Sequence, residues 1–116
     1  MVQVAFAEVS ATHADEAEHG REEVLQRLVQ SLDSYQASAR SDRASFAKLI
    51  ESAQLVLEID DRELARRLGV SRPTIGRWAR GETAPHPIGR QGVLRELKDV
   101  ANERLKIHHN YRRRAA

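Results

Sequence analysis

The chain has 116 residues, enough for one domain with a short extension. Hydrophobic residues make up 41% but aromatic residues only 4%, so a core must be mainly aliphatic and alanine-rich, which favours helices. The absence of cysteine excludes disulfides and thiolate metal sites, and no apolar run approaches the roughly 20 residues that span a membrane. The first twenty residues lack the features of a signal peptide, so we expect a cytoplasmic protein.

The net charge of +2 is unevenly distributed along the chain. Residues 1–20 carry four acidic residues and no lysine or arginine, whereas residues 59–116 carry fourteen basic and seven acidic residues. A basic half attracts polyanions and releases counterions when it binds them. The charge is therefore suited to nucleic acid, although a solvated charged face would have the same composition.

Residues 1–20 form an acidic N-terminal segment. Val2, Val4 and Phe6 alternate as in a short strand, which would pair across a dimer, but the rest has no period. We predict a flexible tail, with the strand as the alternative.

Residues 21–37 are predicted to form an additional helix, ending near Gln36. Its apolar stripe consists of Val24, Leu25, Leu28, Val29, Leu32 and Tyr35. The stripe either packs on its own domain or forms a dimer seam, and the sequence leaves both interpretations open. After a polar break at 36–41, a second helix is predicted over about 42–58, capped by Ser41 or Asp42.

Residues 60–81 predict two short helices joined by a tight corner. Asp60 is placed to cap the first helix, with Glu63 at the capping-box spacing, and Gly69 to end it. Ser71 is placed to cap the second helix, whose outer face is polar and basic. The positions assigned to the core are Leu64, Ala65, Leu68, Val70, Ile75 and Trp78.

This stretch resembles the lambda-repressor/Cro-like (XRE) family of bacterial and phage DNA-binding regulators. The matching residues are Glu63-Leu64-Ala65, Leu68-Gly69-Val70-Ser71, Thr74-Ile75 and Arg77-Trp78, followed by Gly81 and Pro85. The resemblance implies an all-α fold, a small helical bundle containing a lambda-repressor-like helix-turn-helix, here with one extra N-terminal helix. The DNA-binding domain would span residues 41–107.

In this family the second motif helix presents its first residues to base edges in the major groove. By resemblance, Arg72 is the first candidate to read a base and Arg77 the second. The full predicted set of DNA-binding residues is Ser71, Arg72, Thr74, Arg77, Arg80 and Arg62. Many family members have a glutamine at the position of Asp61, where it contacts the DNA backbone or a neighbouring side chain. A carboxylate would repel phosphate, so we expect that Asp61 either makes no such contact or instead orients Arg62 or Arg72.

The segment after the motif is predicted as a loop, one long helix and a basic tail. Pro85 and Pro87 keep the loop extended. The helix is expected from about Gly89 or Gln91 to Ile107, where many family members have two short helices. Residues 108–116 form a basic tail that includes Arg112, Arg113 and Arg114, and it either binds the DNA backbone or a minor groove or acts as a disordered end.

We therefore predict a sequence-specific transcriptional regulator, a repressor that binds an inverted-repeat operator as a homodimer with residues 71–80 in the major groove. The alternative is an antitoxin or adaptor whose main role is binding a protein partner. There is no phosphate-binding glycine loop and no histidine spacing suited to a metal, so we expect no enzyme activity, cofactor or metal. The expected partners are double-stranded DNA and a second copy, with no membrane and no small-molecule ligand.

Overall fold

The computed structural model of the protein describes residues 19–35 and 42–115, except the side chains of Arg112 and Ala115. Within these ranges the chain is all-α and contains no strand. The helices are α1 (19–35), α2 (Arg43–Leu57), α3 (Asp61–Leu68), α4 (Arg72–Ala79) and α5 (Pro87–Ala115). The predicted all-α bundle is thus confirmed. The predictions for residues 1–18 and for the break at 36–41 lie outside the described residues.

Side-chain caps set where α2, α3 and α4 begin. Asp42, Asp60 and Ser71 each accept a hydrogen bond from the backbone N–H three residues further on, at 2.6, 2.8 and 3.3 Å. These bonds satisfy N–H groups that have no partner inside the helix. Gly69 ends α3 with a φ of +69°, in the left-handed region that favours glycine. The predicted caps and the corner between α3 and α4 are therefore present.

Three leucines of the α1 stripe are buried within the chain's own core. Leu25, Leu28 and Leu32 are between 0% and 5% exposed, whereas Val24 is 44% exposed. The largest fully buried side chains of the other helices are Phe46, Ile50, Leu57, Leu64, Ile75, Leu94, Leu97 and Val100. The leucines of the stripe therefore pack in the chain's own core, and a role of α1 as a dimer seam stays a prediction.

A single long helix follows the loop, as predicted, but it is longer at both ends. Helix α5 begins at Pro87 and continues through Ala115, so residues 108–115 are helical and do not form a separate tail. No proline or glycine follows Gly92 to break it. His109 also lies 3.3 Å from the buried Glu22 carboxylate of α1, which ties the end of α5 to the bundle.

Arg67 joins α3 to α5. Its guanidinium lies 3.4 Å from Glu63 on its own helix and 3.5 and 3.2 Å from Glu96 and Glu103 on α5. The hydrogen bond to Glu103, supported by the contacts with Glu63, raises the pKa of Arg67 against the opposing effect of burial. The side chain is only 22% exposed, so this arginine holds the two helices together and does not belong to the outward basic surface.

Candidate nucleic-acid interface

Helix α4 is held by its apolar side, which fixes the direction of the opposite face. Ile75 and Trp78 are buried. Trp78 packs edge-on against Phe46 of α2, with ring centroids 5.7 Å apart and an interplanar angle of 79°. This geometry is favourable for two aromatic rings. Trp78 is therefore a packing anchor, as expected, and the polar side of α4 faces solvent.

The predicted site residues on α4 and its ends lie on its solvent side. Ser71, Arg72, Arg77 and Arg80 are exposed there and Thr74 is half-buried, whereas Arg62 is exposed on the preceding helix, α3. Within residues 19–35 and 42–115, neither the Arg62 nor the Arg72 side chain makes a hydrogen bond or ion pair. Two guanidinium groups on the motif are thus available to an incoming anion or base edge.

A short chain of hydrogen bonds runs along the first turns of α4. The hydroxyls of Ser71 and Thr74 are 2.7 Å apart, and Arg77 Nη2 donates to Thr74 Oγ1 at 3.3 Å. Ser71 therefore both caps the helix and fixes the hydroxyl that orients Arg77. Two predicted roles, the cap and the outward arginine, are linked through Thr74.

Arg80 is engaged by an acidic neighbour that the sequence analysis did not single out. Its Nε and Nη2 donate to the two carboxylate oxygens of Glu82 at 3.1 and 3.3 Å. These contacts lower the pKa of the Glu82 carboxyl and raise that of Arg80. Arg43 at the start of α2 donates to the Glu82 carbonyl at 2.9 Å. In the sequence, this ion pair was indicated only by the two opposite charges in the run Arg80-Gly81-Glu82.

Asp61 is turned towards α2. Its Oδ1 accepts a hydrogen bond from Gln54 Nε2 at 2.7 Å. Since neither Arg62 nor Arg72 bonds to it in the described structure, the alternative in which Asp61 orients one of these arginines is not observed. The carboxylate instead fixes the start of α3 against α2.

The described residues contain no group of three or more histidine, cysteine, aspartate or glutamate side chains arranged to hold a metal ion. None of their helices is long and apolar enough to cross a membrane.

Residues 57–88 match the model of a helix-turn-helix family, a region of about a quarter of the chain. The match covers α3, the corner at Gly69 and α4, and it ends where α5 begins. The chain carries an XRE-type, lambda repressor-like helix-turn-helix. The predicted family resemblance is confirmed for these residues. No curated protein and no solved structure matches the chain.

The helix-turn-helix is a DNA-binding regulatory module and not a catalytic one. Its first helix is α3 and its second, the recognition helix, is α4. The exposed arginines of α4 therefore lie on the element that enters the major groove in this type of module.

Proposed function

We propose that this protein is a sequence-specific transcriptional repressor that binds an inverted-repeat operator as a homodimer in the cytoplasm. The observation that carries the proposal is Arg72, which is exposed in the first turn of α4 without a polar partner in the described structure. A guanidinium at that position reaches base edges when the N-terminal end of a recognition helix enters the major groove.

The remaining residues of the surface have complementary roles in this proposal. Arg72 pairs with the two acceptors of a guanine, and Arg77, held by Thr74, reads a second position. Arg80 and Arg62 contact phosphates on either side, which fixes the register of α4 without reading sequence. Ser71 is mainly a cap, and in this proposal its exposed hydroxyl also contacts a DNA phosphate.

Dimerisation follows from the small size of this reading surface. One module of this kind makes few base contacts, and a two-fold pair doubles them. Two copies of α4 would then occupy half-sites about one helical turn apart, ~34 Å, on an inverted repeat.

One observation favours the alternative of an antitoxin or adaptor. An open groove of about 860 Å³ lies between α1 and α2, with an apolar floor that includes Leu28 and Leu49. Arg27 and Lys48 are exposed at its rim, so a partner protein with acidic side chains around an apolar segment would fit it. A stable hetero-complex that survives replacement of Arg72 and Arg77 would support this role.

The experiment that tests the leading proposal has two steps. The full chain is used to select duplexes from a random DNA library, and footprinting then locates matching sites in the DNA that flanks its own gene. Binding is measured at two salt concentrations against the selected and a scrambled duplex. We expect salt-sensitive binding that prefers a palindromic sequence, whereas equal affinity for both duplexes would contradict the proposal.

A further inference from the structure

Arg80 and Glu82 form a preformed pair on the surface that faces DNA in the proposed function. Arg72, Gly76 and Arg80 follow one another at four-residue spacing, so they share one face of α4. A Cβ built on Gly76 would lie only 3.2 Å from Arg80 Nη1, so the guanidinium of Arg80 lies against the helix surface beside Gly76. The Glu82 carboxylate holds it there through both oxygens.

The position of Glu82 is itself fixed by the fold. Gly81 has a φ of +73°, a left-handed turn that brings the chain back beside the end of α4. The Glu82 amide donates to the Arg77 carbonyl at 3.0 Å, and its carbonyl accepts from Arg43 at 2.9 Å. The backbone of Glu82 is therefore held from two helices, so the carboxylate stays within reach of Arg80.

A phosphate oxygen and the Glu82 carboxylate would occupy the same donors of Arg80. A guanidinium prefers a bidentate partner with fork geometry, and a carboxylate and a phosphate both offer it. A phosphate replaces the carboxylate only if the helix is seated so that the phosphate comes within hydrogen-bond distance. In loose, sequence-independent association a phosphate is not held in that geometry, so the carboxylate that the fold keeps beside Arg80 outcompetes it. Without the carboxylate, Arg80 would be free to reach a phosphate of any duplex.

We propose that Glu82 competes with DNA phosphates for the guanidinium of Arg80. On random DNA, Arg80 stays paired with Glu82, and it binds a phosphate instead only when α4 is seated on the operator. The inference rests on the proposed function and adds a selectivity role for a residue outside the base-reading set. Glu82 acts through Arg80, so it is a positioning residue.

The test compares Glu82→Gln with Asp99→Asn in the full chain. Asp99 is exposed on α5, and its replacement removes the same unit of charge. For Glu82→Gln we expect the affinity for a random duplex to rise about two- to fivefold. The plot of log affinity against log salt concentration should be steeper by about 0.9, the value of one added phosphate contact. Affinity for the selected operator should rise less, so the operator-to-random ratio should fall.

A double substitution separates the pair from general electrostatics. Adding Arg80→Gln to Glu82→Gln should abolish the gain on random DNA. If Glu82→Gln and Asp99→Asn behave alike, or if the gain persists without Arg80, the inference is wrong while the proposed function stands. If the unmodified chain binds neither duplex, the proposed function fails and the inference fails with it.

Discussion

Arg77 donates from Nη2 to the hydroxyl of Thr74, one turn earlier on α4, at 3.3 Å. Thr74 is in turn 2.7 Å from the Ser71 hydroxyl. The Arg77 side chain thus has a preferred orientation before any ligand arrives, which reduces the conformational entropy lost when it binds.

Thr74→Val keeps the side-chain shape and removes the hydroxyl that holds Arg77. We expect affinity for the selected duplex to fall about three- to tenfold because Arg77 loses its orientation, with a stability change within about 0.5 kcal/mol. Binding assays and urea unfolding measure the two effects. Thr83→Val, at an exposed loop position, is the control. Equal affinities of the two variants would contradict the prediction that Thr74 orients Arg77.

The burial of α1 predicts that this helix is required for the monomer to fold. Leu32 is 0% exposed, so Leu32→Ala should lower the free energy of unfolding by about 2–5 kcal/mol. Leu55→Ala, at a side chain that is 79% exposed, should change it by less than about 0.5 kcal/mol. Urea unfolding measures both variants. A Leu32→Ala protein of normal stability that sediments as a smaller species would instead identify the stripe as a dimer seam.

Two glycines should respond to alanine in opposite directions. Gly69 has a φ of +69°, and Gly69→Ala should destabilise the protein by about 1–2 kcal/mol. Gly92 lies inside α5 with nothing within 4 Å of a built Cβ, so Gly92→Ala should stabilise it by about 0.5–1 kcal/mol. Thermal unfolding followed by circular dichroism checks the signs. Destabilisation of similar size at both positions would contradict this assignment of backbone conformation.

Arg67→Met should weaken the attachment of α3 to α5. The change keeps the apolar stem but leaves three carboxylates, Glu63, Glu96 and Glu103, near one another without their shared cation. We expect a loss of about 1–2 kcal/mol of stability that becomes smaller in high salt, because salt screens the remaining repulsion. Arg95→Met, at an exposed position of α5, is the control. Equal unfolding midpoints for the two variants would refute the proposed linkage.

The local features of the fold were predictable because they depend on neighbours in sequence. Caps such as Asp60 and Ser71, the glycine corner and the buried Trp78 each follow from residue type and helical spacing. The residues that cover the apolar stripe of α1 could not be predicted, since periodicity identifies an apolar face but not what packs against it. The length of α5 was underestimated because its last turns carry a weak apolar pattern.

The candidate site was predictable in part for the same reason. Outward residues such as Arg72 and Arg77 follow from the helical register. The Gln54–Asp61 bond and the hydrogen bond from Arg43 to the Glu82 carbonyl join segments that meet only in the folded chain. The pairing of Arg80 with Glu82 additionally needs the left-handed turn at Gly81.

The most direct test of the central claim is the ratio of affinities of Arg72→Ala for the selected operator and for a scrambled duplex, measured beside wild type and Arg95→Ala. We expect Arg72→Ala to retain the unfolding midpoint of wild type and to lose about 1–3 kcal/mol of discrimination, roughly five- to 150-fold, because a bidentate base contact is removed. Arg95→Ala should keep the wild-type ratio. Unchanged operator affinity and discrimination in Arg72→Ala would contradict the claim that the outer face of α4 reads DNA sequence.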